Sequence, residues 1–237
     1  MGNRNIGFHE GALASVVLGP LKLVLTLGLL LLAVQLIAWC VDWVFVFKVW
    51  PEGTERLRGL LADGLADGVA LAAQQGGGAG DITGPANGLY ALIFEATGIH
   101  DMGMRFADVS ALSIPDTIVR RSYLEHRDAI ETAMVGTQLL GVRIATLLRF
   151  VPLSLLLYTV GTADGLTQRA IRRSCGGRES ASLYHRAKYL QFAVLGLGWV
   201  GLLAWPGVVA WWPCAGFMVA ATAALARVQW TFYKKHL

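Results

Sequence analysis

Charge is scarce in this chain: 15% of its 237 residues are Asp, Glu, Lys or Arg, where ordinary soluble domains carry about a quarter. With 55% hydrophobic residues and a mean hydropathy of +0.53, that scarcity excludes a free-standing soluble domain and reads as a membrane protein. Cysteine is also rare. Cys40, Cys175 and Cys214 lie in separate stretches, so no disulfide framework holds the chain together. Enzyme signatures are missing as well: there is no HExxH, no Cys/His spacing suited to zinc and no GxSxG. The adjacent pairs His100-Asp101 and Glu125-His126 point in different directions on a helix and make no metal clamp. The chain therefore reads as a non-enzyme with no catalytic residues, no cofactor and no metal.

Long apolar runs are what the sequence does have. Residues 14–47 exceed the ~20 needed to cross a hydrocarbon core of ~30 Å. They read as a retained span, because a cleaved signal has a shorter apolar region followed by small residues, and Trp39 directly before Cys40 argues against a lipoprotein anchor. A second segment, 139–160, is interrupted by Arg143, Arg149 and Pro152. Segments 190–205 and 208–226 are separated by Pro206-Gly207, a helix-punctuating pair, and form a helical hairpin. The expected fold is an all-α integral membrane protein with about four transmembrane helices and a small helical extracytoplasmic region.

The charges orient it. Between residues 162 and 189 stand Arg169, Arg172, Arg173, Arg178, Arg186 and Lys188 against only Asp164 and Glu179, and short basic loops remain on the cytoplasmic side. The hairpin then goes out and back and leaves Arg227, Lys234 and Lys235 in the cytoplasm too. The organisation that follows is a cytoplasmic N-terminus and first span (1–48), an extracytoplasmic helical region (49–135), a second span (136–161), a basic cytoplasmic loop (162–189), and a hairpin with a cytoplasmic tail (190–237). Residues 48–131 carry seven Lys/Arg against twelve Asp/Glu, a sign compatible with the outside. The predicted localisation is the bacterial inner membrane, multi-pass, with both termini cytoplasmic.

Within the outer region, Leu57, Leu60, Leu61, Leu65, Val69 and Leu71 follow a helical stripe that starts at Thr54. The run GGGAGDITGPANG, 76–88, reads as a loop, since glycine carries the largest ordering entropy. It is not a phosphate loop, because no apolar strand precedes it and no Gly-Lys-Ser/Thr closes it. A short helix is expected over 89–96, and another from Ser113, Pro115 and Asp116 is drawn as running unbroken into the second span.

Charges inside spans need partners. Asp42 can pair with Arg143 or Arg149; the preferred pair is Asp42 with Arg149, leaving Arg143 to snorkel to the interface. In the basic loop, Arg169, Arg172, Arg173, Arg178, Glu179, Tyr184 and His185 are the candidate contacts for a partner or for anionic lipid. The loop reads as helix, Gly176-Gly177 break, helix. Topology alone needs charge, but it does not need Gly-Arg-Glu-Ser followed by Tyr-His.

The run DGLTQRAIRRSCGGRESASLYHRAK, an apolar hairpin and the terminal FYKKHL resemble the integrating conjugative element membrane protein family. The matching positions are Asp164-Gly165, Arg172-Arg173, Gly177 to Ser180, Tyr184-His185 and Lys234-Lys235; where relatives often have a second histidine after Tyr-His, this chain has Arg186. The resemblance implies a domain of unknown function found among type IV secretion genes and a part in DNA transfer. The implied partners are other type IV secretion proteins, the coupling ATPase a candidate among them, and anionic lipids, without direct contact to nucleic acid. The rival readings are a small transporter or channel and an immunity-like membrane protein.

Overall fold

The computed structural model describes residues 6–107, 114–175 and 181–233. Among these every regular element is helical. Helix α1 (Ile6–Val44) continues into a π turn, Phe45–Val49. Next come α2 (Thr54–Gln74), α3 (Gly80–Tyr90) with its own π turn Ala91–Glu95, α4 (Ile99–Ala107), α5 (Ile114–Glu125) and α6 (Arg127–Leu148). Last are α7 (Val151–Ser174), α8 (Ala181–Ala193), a third π turn Val194–Gly198, α9 (Trp199–Leu203) and α10 (Trp211–Thr231).

Helix α6 is the centre of the first half. Leu139, Leu140, Val142, Ala145 and Thr146 are all buried, enclosed by α1, α2 and α3. Its threonines turn their hydroxyls back onto the helix, Thr137 to the Ala133 carbonyl at 2.8 Å and Thr146 to that of Val142 at 2.8 Å. They therefore enter the core without orphaned polar atoms. On the α1 side the indole of Trp39 donates to the Ala133 carbonyl (3.1 Å) and to the Thr137 hydroxyl (3.0 Å), and the Gln35 amide donates to Thr137 (3.2 Å). On the other side Leu57 and Leu60 of α2 pack with Val135 and Leu139, as the stripe from Thr54 requires.

The glycine-rich run is helical from Gly80, not a loop throughout. Packing outweighs propensity there. Ile82 and Ala86 are buried against Val142 and Ala145, and α3 lies so close to α6 that a Cβ on Gly141 would meet the Ala86 Cα at 2.5 Å. Asp81 accepts from the Gly78 N–H at 2.9 Å and holds the start of α3. The expected helix over 89–96 is taken up by the last residues of α3 and the π turn after it. The helix expected to run unbroken from Ser113 is interrupted at His126, whose ring bonds the Ser122 carbonyl at 2.9 Å.

The second predicted span is two helices. Pro152 in the first turn of α7 has no N–H and its ring clashes with a continued helix, so α6 ends at Leu148 and the chain bends by 43°. Phe150 at the joint is 1% exposed, packs with Leu71, Val209, Trp211 and Ala215, and meets the Trp212 ring edge-on at 5.4 Å. Beyond it, α7 packs along α10, and α10 along α8. By length and composition one stretch, Gly19–Val49, can cross a membrane, and the bent pair α6–α7 makes a second if counted as one span; the other described helices do not meet the same measure. From Leu21 to Leu32 the leucines of α1 are exposed, and among the residues whose side chains are described the packed face of α1 starts at Val34.

Candidate docking end and buried charges

Two glycines bring α7 and α10 together. Gly161 and Gly165 stand four apart on one face of α7, and a Cβ on either would meet a carbonyl oxygen of α10 at 2.5 Å, that of Ala223 or of Arg227. Such small-residue spacing permits backbone contact between helices. Between them Asp164 forms an ion pair with Arg227. The signal was in the sequence as Gly-x-x-x-Gly, at the junction of the second span and the basic segment; α7 runs through both to Ser174, with no break between the span and the helix expected before Gly176-Gly177.

One turn further on, the arginines are seated on aromatic rings. The Arg169 guanidinium lies 5.2 Å from the Tyr233 ring centre, and that of Arg172 lies 4.1 Å from Phe232. Tyr233 is also flanked by Trp230 at 5.4 Å and, edge-on, by Tyr184 of α8 at 5.7 Å. Each cation–π contact is worth ~0.5–1 kcal/mol where water has access, so the cluster helps to order these long side chains. Tyr184 points inward and is a structural member of the end. His185 is exposed and stacks near Tyr189, itself exposed, at 6.4 Å; Arg186 of the same helix and Arg173 of α7 are exposed too. Arg178 and Glu179, with the Gly176-Gly177 break, lie outside the described residues, as do Lys234 and Lys235. The predicted candidates that are described therefore share one end of the α7–α8–α10 unit: Arg169 and Tyr184 half-buried in it, Arg172, Arg173 and His185 exposed on its surface.

The charges within the apolar stretches are placed differently from the expectation. Asp42 is 4% exposed and abuts Gly136 of α6, and the charge it faces is Arg143. Arg149 lies thirteen residues beyond Gly136, ~20 Å along a helix, and bonds Asp81 instead. Arg143 does not snorkel. It is 5% exposed, and its guanidinium donates to the Leu203 carbonyl at 2.9 Å and the Gly207 carbonyl at 3.0 Å. Sequence spacing could not find those acceptors, which belong to the turn that Pro206-Gly207 creates some sixty residues away. The Gly78 N–H and then the Arg149 side chain hold the Asp81 carboxyl below the usual carboxylate range.

Elsewhere, His100 bonds Tyr90 at 2.8 Å, and among the described residues no group of three His, Cys, Asp or Glu could hold a metal. The fold and these contacts define an all-helical protein with span-length apolar sequence and an ordered, arginine-rich end. The chain belongs to the family of DtrJ-like proteins, described as IncC plasmid conjugative DNA transfer proteins, whose family model matches residues 71–233. The match begins at Leu71, which packs on the Phe150 joint, and ends at Tyr233, which seats Arg169. No curated protein and no solved structure matches the chain. Membership agrees with the conjugation-associated family that the C-terminal sequence resembles.

Proposed function

We propose that the protein is a non-enzymatic component of the inner-membrane part of a conjugative type IV secretion apparatus, and that its arginine-rich end docks a cytoplasmic protein of that apparatus. The observation that carries this reading is the seating of Arg169 and Arg172 on Tyr233 and Phe232, inside the region that the conjugative family model covers. A basic segment serving only as a topological signal needs charge alone. Here the helices on both sides of the loop are locked together, so Arg173, His185 and Arg186 are offered from a preformed surface, which lowers the entropy cost of binding.

The proposed topology keeps four spans but moves the second onto α7. Leu155, Leu156 and Val160 of α7 are exposed apolar residues suited to lipid, whereas α6 is enclosed by protein. The spans are then α1, α7, the α8–α9 unit and α10, with both termini and the arginine-rich end in the cytoplasm, while α2 to α6 form an outer layer against envelope components.

A transporter reading draws on the buried Asp42 and Arg143, but Arg143 is engaged by two carbonyls as well as by Asp42, which suits a clamp better than a relay. The test is conjugation frequency after in-frame deletion, with complementation by the wild type or by Arg173→Gln/His185→Ala/Arg186→Gln. Loss on deletion, restored by the wild type and not by a normally inserted triple variant, is the expected result. Full transfer without the gene would overturn the apparatus role, and full restoration by the variant would overturn docking at this end.

A further inference from the structure

Between α7, the π turn Val194–Gly198 and α10 lies an open cavity of about 250 Å³, walled by Val151, Leu155, Trp199 and Val219 and bounded by Tyr158 and Leu195. A second cavity of about 230 Å³ shares Tyr158 and Leu195 and adds Lys188, Gln191, Phe192 and Gln229. The two are sections of one groove, apolar at one end and amide-lined and cationic at the other. Leu195, which lines both sections, belongs to the π turn Val194–Gly198; such bulges often mark functional sites. Leu155 and Phe192, 61% and 64% exposed, leave its side open. Lys188 is held with its Nζ 6.0 Å over the Phe192 ring, and Gln191, 9% exposed, turns its amide to the same end.

We infer that this groove binds one anionic phospholipid, an acyl chain lying along Leu155, Trp199 and Val219 and the phosphate meeting Lys188 and the amides of Gln191 and Gln229. The inference rests on the membrane topology proposed above, in which Lys188 stands at the cytoplasmic surface and the apolar section runs into the bilayer. The change from apolar to cationic lining along a single groove matches a lipid's own change from tail to head.

The test uses the full chain, purified in detergent and examined by native mass spectrometry with added phosphatidylglycerol or phosphatidylcholine. The wild type is expected to retain phosphatidylglycerol about fivefold more tightly than phosphatidylcholine, the scale of one lysine at an anionic surface. Lys188→Gln should remove that preference and Lys188→Arg should keep it. Ser154→Phe, which adds bulk to the apolar section that Ser154 lines, should weaken retention of both lipids. Arg186→Gln, outside the groove, should leave the preference intact; if it removed the preference as fully as Lys188→Gln, the effect would belong to general loop charge and the groove assignment would be wrong. Extraction with alkaline carbonate separates the two readings. Release of the protein from membranes would sink the topology and the lipid site together, whereas retention without any lipid preference would sink the lipid site alone.

Discussion

At the residue scale, Arg143 joins three distant parts of the chain. It sits on α6, faces Asp42 of α1 and bonds the carbonyls of Leu203 and Gly207 in the turn before α10. Taking away one of two opposite buried charges that face each other leaves the other uncompensated, which is costly, while replacing both is milder. Arg143→Met should therefore lower the unfolding temperature in detergent sharply, and adding Asp42→Asn to it should recover part of the loss. Strictly additive losses would show that the two do not act as a pair. Asp81 gives a pH-dependent counterpart on the surface. Its folded-state pKa is depressed by the Gly78 N–H and by Arg149, so its contribution is present above the unfolded value of ~3.9 and is lost as pH falls through the folded value. Asp81→Asn should be less stable than the wild type at pH 7 and should lose less on acidification toward pH 3, followed by thermal unfolding across that range; parallel curves for the two proteins would refute the assignment.

At the scale of elements, the decisive contact is α7 against α10, set by the two glycines of the Gly-x-x-x-Gly spacing. Gly161→Ala and Gly165→Ala each drive a methyl group into a backbone oxygen at 2.5 Å, an overpacking expected to cost ~1–3 kcal/mol. Gly216→Ala, on α10 with open space around the new methyl, should instead be neutral or stabilising by up to ~1 kcal/mol. Thermal unfolding of the three variants checks the ordering, and equal behaviour would mean that the close approach is not what holds the helices. The same elements mark what could be read from sequence. The start of α2 at Thr54 and its buried Leu57 and Leu60 were legible, because a helical stripe records which face is covered. The identity of α6 was not: apolar composition is the same for a helix wrapped in protein and one wrapped in lipid, and only the contacts of α1, α2 and α3 distinguish them. Helix α3 was hidden for the opposite reason, since its glycines lower local propensity while permitting the approach to α6 that stabilises it. At the arginine-rich end, the basic composition was legible, but the inward turn of Tyr184 depends on Tyr233, nearly fifty residues away.

At the scale of the whole molecule, the proposed arrangement separates two surfaces of opposite sign across the bilayer, and cysteine labelling can test it. Cys175, exposed directly after α7, belongs to the arginine-rich end, while Asp63 lies on α2 in the outer layer. In a chain with Cys40 and Cys214 replaced by serine, Cys175 should react with a membrane-impermeant maleimide only after spheroplasts are permeabilised. With Cys175 also replaced and Asp63→Cys introduced, labelling should occur in intact spheroplasts. If both positions react from outside, α7 does not cross alone and the bent pair α6–α7 enters and leaves on the same side. Labelling of Cys175 from outside and of the residue-63 position only after permeabilisation would invert the model. The arginine-rich end would then face the envelope, and its partner would have to be sought there rather than among cytoplasmic proteins. The expected pattern, by contrast, puts the ordered arginines where a cytoplasmic component can reach them, and it puts Lys188 at the cytoplasmic surface that the lipid groove requires.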